Sequence, residues 1–135
     1  MNTEHPVSIE LLQQFLDASG IGWWCLDFEK REMTCSPLAT ELFGTDRTHI
    51  TFDEVRLLPR EEHRARIYTR CAALKVTDTL DETFVTANGN RCLQVKAVEV
   101  RTDPRTNTRT AFGSVRRVTS GNPESAELAA LNQSY

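Results

Sequence analysis

Residues 22–27 read GWWCLD, and they hold both tryptophans of the chain side by side. The run is short and apolar, follows a Ser-Gly pair and is succeeded by charged residues, which marks a strand. On a strand, neighbouring side chains point to opposite faces. Trp23 and Trp24 therefore enter different compartments. Any sheet that contains them needs shelter on both sides.

A chain of 135 residues suits one domain with a single modest core. Its net charge is −3, with acids and bases mixed throughout. No basic patch points to nucleic acid. No apolar run reaches membrane-spanning length. The start, MNTEHPVSIELL, lacks the basic and long apolar stretches of a signal peptide. A cytoplasmic protein, or a cytoplasmic piece of a larger one, is expected. The cysteines stand at 25, 35, 71 and 92, with no C-x-x-C spacing and no Cys/His cluster. They read as small core residues kept reduced, not as zinc ligands.

Ser8 caps a helix with Ile9, Leu12, Phe15 and Leu16 on one stripe, and the Ser-Gly pair at 19–20 ends it. Two strand-like runs follow, IGWWCLDF and REMTCS, with a tight turn between them. SPLATELFG is a short helix with Ser36 as cap, Pro37 at its first position and Gly44 past its end. Thr51 and Glu54 have capping-box spacing. Pro59 opens a longer helix to about Lys75, with Ile67, Cys71 and Leu74 on one face and Arg64, Arg66 and Arg70 solvated. The rest is β. LDETFVTA and RCLQVKAVEV flank Asn88-Gly89-Asn90, a hairpin signal, and TAFGSVRRV is the last strand. A further helix begins near Pro123. Two strands, three helices and three strands predict an α+β fold, an antiparallel sheet with its helices gathered on one face.

That order, with these residues, resembles a PAS domain, especially the subclass common in bacterial sensor histidine kinases and diguanylate cyclases. GWWCLDF is similar to an opening strand of G-x-W-x-W-D-L type, MTCSPLATELFG to T-W-S followed at a distance by Gly, and FDEVRLLPREEHRARI to F-x-x-x-V-H-P-x-D-R-x-R-V. ANGNRCLQV and FGSVRRVT resemble D-G-x-x-R-W-V and G-x-V-x-D-I-T. The likeness runs from about Gly20 to Thr119. It implies a five-stranded sheet of order 2-1-5-4-3, short helices on one face and the N-terminal amphipathic helix on the other. Residues 1–19 then form a cap helix, 20–119 the PAS domain and 120–135 the start of a signalling helix. Cys35 and Cys92 stand where the family usually has tryptophan, and Arg117 where it has aspartate.

The resemblance implies a sensory or signal-transduction module that couples a small ligand or a partner's contact to an output helix. The implied partners are a second copy of the chain and a kinase or cyclase effector. The implied cavity lining is Trp24, Leu26, Phe43, Val55, Leu58, Ile67, Cys71, Phe84, Val95 and Val115, for each of which plain core packing is the competing role. Leu12, Phe15, Leu16 and Trp23 are the interface candidates, and Arg117 and Thr119 carry the output. A ligand-free interaction or dimerisation domain is the alternative. No cofactor is expected. A photoactive flavin needs a cysteine motif that THITFDEVRLL lacks, and His63, the nearest haem-ligand candidate, falls in the first turn of its helix. His5 and His49 fall in a tail and a loop. Asp27, Asp53, Glu54, Asp81 and Glu82 sit beside turns and at element starts, where capping is the ordinary role, so catalysis by the module is not expected.

Overall fold

The computed structural model describes residues 8–118. Its elements in chain order are α1 (Ile9–Ala18), β1 (Ile21–Asp27), β2 (Glu32–Cys35), α2 (Pro37–Phe43), β3 (His49–Thr51), α3 (Phe52–Val55), α4 (Glu61–Ala72), β4 (Asp81–Val85), β5 (Cys92–Thr102) and β6 (Arg109–Arg117). One antiparallel sheet runs β3-β2-β1-β6-β5-β4. The expected five strands are present in the expected order. The sixth, β3, is a three-residue edge strand on β2 that apolar patterning does not reveal, because only Ile50 of HIT is buried.

Strand β1 lies at the centre and alternates as its sequence requires. Gly22, Trp24 and Leu26 are buried; Trp23 and Cys25 point the other way and are half-buried. Two close approaches fix what lies against the inner face. Gly22 meets α2, where a Cβ would sit 2.7 Å from the Ala39 backbone nitrogen. Gly113, opposite Trp24 on β6, leaves room for the indole. A Cβ there would lie 2.1 Å from both the Trp24 ring and the Lys96 carbonyl oxygen. The ring also donates from Nε1 to the Ser114 carbonyl at 2.8 Å. It belongs to one core cluster with Leu26, Met33, Cys35, Phe43, Ile67, Leu74, Phe84, Leu93, Val95 and Val115. Cys35, paired with Trp24 across β1–β2, is 3% exposed. Neither it nor Cys92 borders either of the two cavities that lie between the sheet and α3–α4.

Several local expectations change. The long helix starts at Glu61, not Pro59, and its last turn is 3₁₀ over Ala73–Lys75. Segment 58–60 is instead held beside the end of β4. Pro59 bridges Thr86, Arg60 donates its amide to the Val85 carbonyl at 2.8 Å, and Ala87 donates to Leu58 at 2.8 Å. The Asn-Gly hairpin is a longer connection than a two-residue turn. Fully buried Thr86 organises it: its Oγ1 donates to the Asn88 carbonyl at 2.9 Å and accepts from the Arg91 amide at 3.0 Å. Arg66 and Arg70 are not merely solvated. They bridge from α4 to Glu82 on β4, whose side chain is only 13% exposed. Nor is His49 idle in a loop; on β3 it lies 2.8 Å from Glu32 and 3.2 Å from the Thr34 hydroxyl.

Helix α1 begins at the Ser8 cap, which accepts from the Leu11 amide at 3.0 Å. None of its residues is buried, and Phe15 is 67% exposed. The expected cover of Trp23 by this helix is therefore not seen as burial: α1 keeps its apolar residues exposed, and Trp23 is half-buried. Among the described residues no helix is long and apolar enough to cross a membrane. Thr119 and the expected helix near Pro123 lie outside the described residues.

Gly113→Ala tests the central packing. Overfilling this contact is expected to remove about 3 kcal/mol in urea unfolding. Gly20→Ala, where nothing lies within 4 Å of the added carbon but φ is +75°, is expected to lose about 1 kcal/mol from backbone strain alone.

Candidate functional site

Between the sheet and α3–α4 lie two neighbouring cavities that share Leu26, Val55, Pro59, Ile67 and Cys71 in their walls. The inner one has a volume of about 30 Å³ and an almost wholly apolar lining. Nine of the ten cavity residues expected from the resemblance surround it, joined by Met33, Pro59 and Leu80. Val115 is the exception; it is fully buried in the sheet's core and borders neither cavity.

The outer cavity, of about 60 Å³, opens toward solvent. The β1–β2 turn, α3 and α4 build it. At the turn, Arg31 has φ of +57° and its carbonyl accepts the Phe52 amide at 3.0 Å, which pins α3 to the turn. That bond brings the Arg31 guanidinium 5.5 Å from the Phe52 ring centre, and Phe28 meets Phe52 edge-on at 5.5 Å. The capping box of Thr51 and Glu54 holds α3 itself. From α4, Arg64, Ile67, Tyr68, Cys71 and Ala72 line the cavity, with Lys75 just beyond. Their spacing is one helical stripe. Arg56 lies over the Tyr68 ring at 5.0 Å. Arg64 donates from Nε to the Pro59 carbonyl at 2.9 Å. The sequence reading missed this second stripe because it followed only the apolar positions of α4. Arg64, Tyr68 and Lys75, four and seven residues apart, are the signal that would have found it.

The titratable candidates have other roles. The Asp27 carboxylate accepts the Glu29 and Lys30 amides at 3.0 and 3.1 Å and closes a turn. Asp53 lies 3.8 Å from Arg56, and Asp81 accepts from Gln94 at 3.0 Å. None of the five candidate acids lines either cavity, while Asp81 and Glu82 border a separate open depression of about 410 Å³ together with Arg70 and Lys96. Nor does His63. Partial burial, then Arg66 and Arg60, hold its imidazole below the ordinary value against the opposing pull of Glu62. Its Nδ1 lies 3.4 Å from Arg66. Among the interface candidates, Leu12 and Phe15 are exposed, and Leu16 and Trp23 half-buried. Arg117 is exposed at the end of β6 and makes no ion pair among the described residues.

An open antiparallel sheet with a central first strand, helices on one face and cavities beneath them defines the class of the fold. No family model and no curated protein matches the chain. Solved structures do. A sensory box histidine kinase/response regulator from Burkholderia thailandensis aligns with a TM-score of 0.67 at 18% identity, over 90% of this chain and 95% of that one. A domain ascribed to a histidine kinase from Haloarcula marismortui aligns with 0.61 at 14%, over 82% and 99%. The N-terminal domain of a diguanylate cyclase with PAS/PAC sensor from Marinobacter aquaeolei aligns with 0.61 at 9%, over 72% and 94%. The described residues form a PAS domain fold.

Burial, with a smaller push from Cys25, raises the Cys35 thiol to about 12, and burial followed by Glu82 raises Cys71 to about 11. Neither is a thiolate near neutrality, so neither is a nucleophile there. A thiol raised in the folded state stabilises fully below its unfolded value and loses that contribution as pH climbs toward the folded value. For Cys35 the window runs from the ordinary 9.0 to about 12. Cys35→Ala is therefore expected to flatten the fall in unfolding free energy above pH 9, measured by urea titration at each pH. An unchanged slope would remove Cys35 from the alkaline transition.

Proposed function

We propose that this chain is a sensory signal-transduction module that reads a small molecule in the cavities between the sheet and α3–α4. The observation that carries the reading is the outer cavity, a solvent-reachable space built from three separate elements and walled by the same Leu26 that faces the core. A ligand acts on such a module only by favouring one arrangement of these elements over another. Two connections lead outward to β6: Leu26 faces Ala111 directly, and Trp24 crosses to Gly113 and Ser114, from where the strand continues to Arg117. The chain following β6 is then the output, and a kinase or cyclase effector the recipient. The structural neighbours' names support that choice of effector. Four cysteines without a disulfide fit a reducing cytoplasm. The module works without haem or flavin and is not itself an enzyme. Two cavities of about 60 and 30 Å³ are small for either group, and His63 stands outside both.

The second reading, an interaction domain that needs no ligand, is favoured by α1. Its apolar residues Ile9, Leu12 and Phe15 remain exposed, and Trp23 is half-buried. Exposed apolar residues on one helix stripe suit a homodimer contact. Both readings share that dimer and differ in whether anything occupies the cavities. Native mass spectrometry of the full chain purified from cells separates them: a retained small mass supports sensing, whereas a clean apo dimer favours interaction alone. Phe15→Glu is expected to convert the dimer to monomer in light scattering with the melting temperature little changed. A wild-type chain that is monomeric at high micromolar concentration would dismiss the homodimer.

A further inference from the structure

The outer cavity is charged in one sense only. Arg31, Arg56, Arg64 and Lys75 line it, and no aspartate or glutamate does. The chain as a whole is acidic, with 19 acids against 16 lysines and arginines, so composition does not explain this local excess. Nor are these cations already neutralised. Among the described residues Arg31, Arg64 and Lys75 form no salt bridge, and Arg56 has only Asp53 at 3.8 Å, whose side chain is 84% exposed.

The three arginines are also positioned, while the Lys75 side chain stands exposed at the edge. Arg64 is half-buried and held by the Pro59 carbonyl at 2.9 Å. Arg31 and Arg56 lie over the rings of Phe52 and Tyr68. A guanidinium oriented by a backbone bond or a ring loses little freedom when it takes up an anion, and its planar donors match a carboxylate. Behind this rim the wall is Leu26, Val55, Ile67 and Cys71 beside the aromatic rings. It rewards an apolar body. A volume of about 60 Å³ seats roughly four or five water-sized groups. The enclosed part thus takes a short branched chain or the edge of a single ring, with the polar end of the molecule left at the open rim.

We propose that the ligand is a small monocarboxylate with an apolar body, its carboxylate at the Arg31–Arg64–Lys75 rim and its hydrocarbon against Leu26 and Ile67. The proposal rests on the ligand-sensing reading above and specifies the class of molecule sensed.

The test uses the full chain and three single-ring probes of similar shape: benzoate, benzamide and benzylamine, with isovalerate as an aliphatic acid. Binding is read by calorimetry and by the rise in melting temperature, which follows occupancy. Benzoate is expected to bind about tenfold or more tightly than benzamide, and benzylamine not at all, since one charge-assisted contact is worth that factor. Arg31→Gln and Lys75→Gln, both at exposed side chains, are each expected to weaken benzoate severalfold while leaving benzamide unchanged. Raised salt is expected to weaken benzoate alone. Equal binding of benzoate and benzamide, or benzoate binding indifferent to both substitutions, overturns the anion assignment and leaves the sensing cavity standing. Failure of all four probes, together with the absence of any retained mass in the purified protein, overturns both.

Discussion

The Trp24 indole reaches from β1 over Gly113 of β6 at the centre of the sheet, and the rest of the structure is arranged around the space it takes. It occupies the position where β6 has no side chain, and its N–H ends on the Ser114 carbonyl. A tryptophan in this orientation is both filler and strut. It buries a large apolar area while its one polar atom stays bonded, so no desolvated donor is left in the core. The partner strands adapt to it. On one side Cys35 gives it room, and on the other Gly113 does. Larger residues at either place would push the ring toward the helices and into the volume that forms the cavities.

The helical layer, by contrast, is tied down at discrete points instead of being packed shut. The Phe52 amide on the Arg31 carbonyl joins α3 to the β1–β2 turn, segment 58–60 pairs with the end of β4, and the Arg66 and Arg70 pair on Glu82 anchors α4. Asn88 on the hairpin connection donates to the Gly44 carbonyl at 2.6 Å and closes the ring of attachments at α2. Between these tethers the layer keeps an opening. A fixed sheet facing helices held by separable contacts is an arrangement in which a small occupant can shift one side relative to the other.

Much of this was legible in the chain. Gly22, Trp24 and Leu26 alternate with Trp23 and Cys25, so the two-sided burial of β1 follows from period two alone. The α2 helix carries its whole punctuation in sequence, from the Ser36 cap to Gly44 at φ of +80°. What escaped has a common physical origin: contacts between residues far apart, with no periodic imprint. Strand β3 exists because β2 offers an edge, not because HIT is a strand-forming run. The start of α4 was displaced from Pro59 because that residue's neighbours are claimed by β4. Nine of the inner cavity's residues were found since they are core residues, and core residues show in the pattern. The cationic rim was not found, because arginines on a helix read as solvent-facing until the structure shows which of them have a carboxylate nearby.

Both lateral margins of the sheet are blunted. At one end stands a strand of three residues, with His49 and Glu32 side by side at the boundary. At the other, Arg66 donates at 3.2 Å to the Thr83 carbonyl, so an arginine already occupies an acceptor that an incoming strand would need. Short or plugged margins discourage extension of the sheet from molecule to molecule. Strand addition finds little purchase at either margin, which guards against open-ended fibres and leaves the broad faces as the surfaces that any second copy would meet.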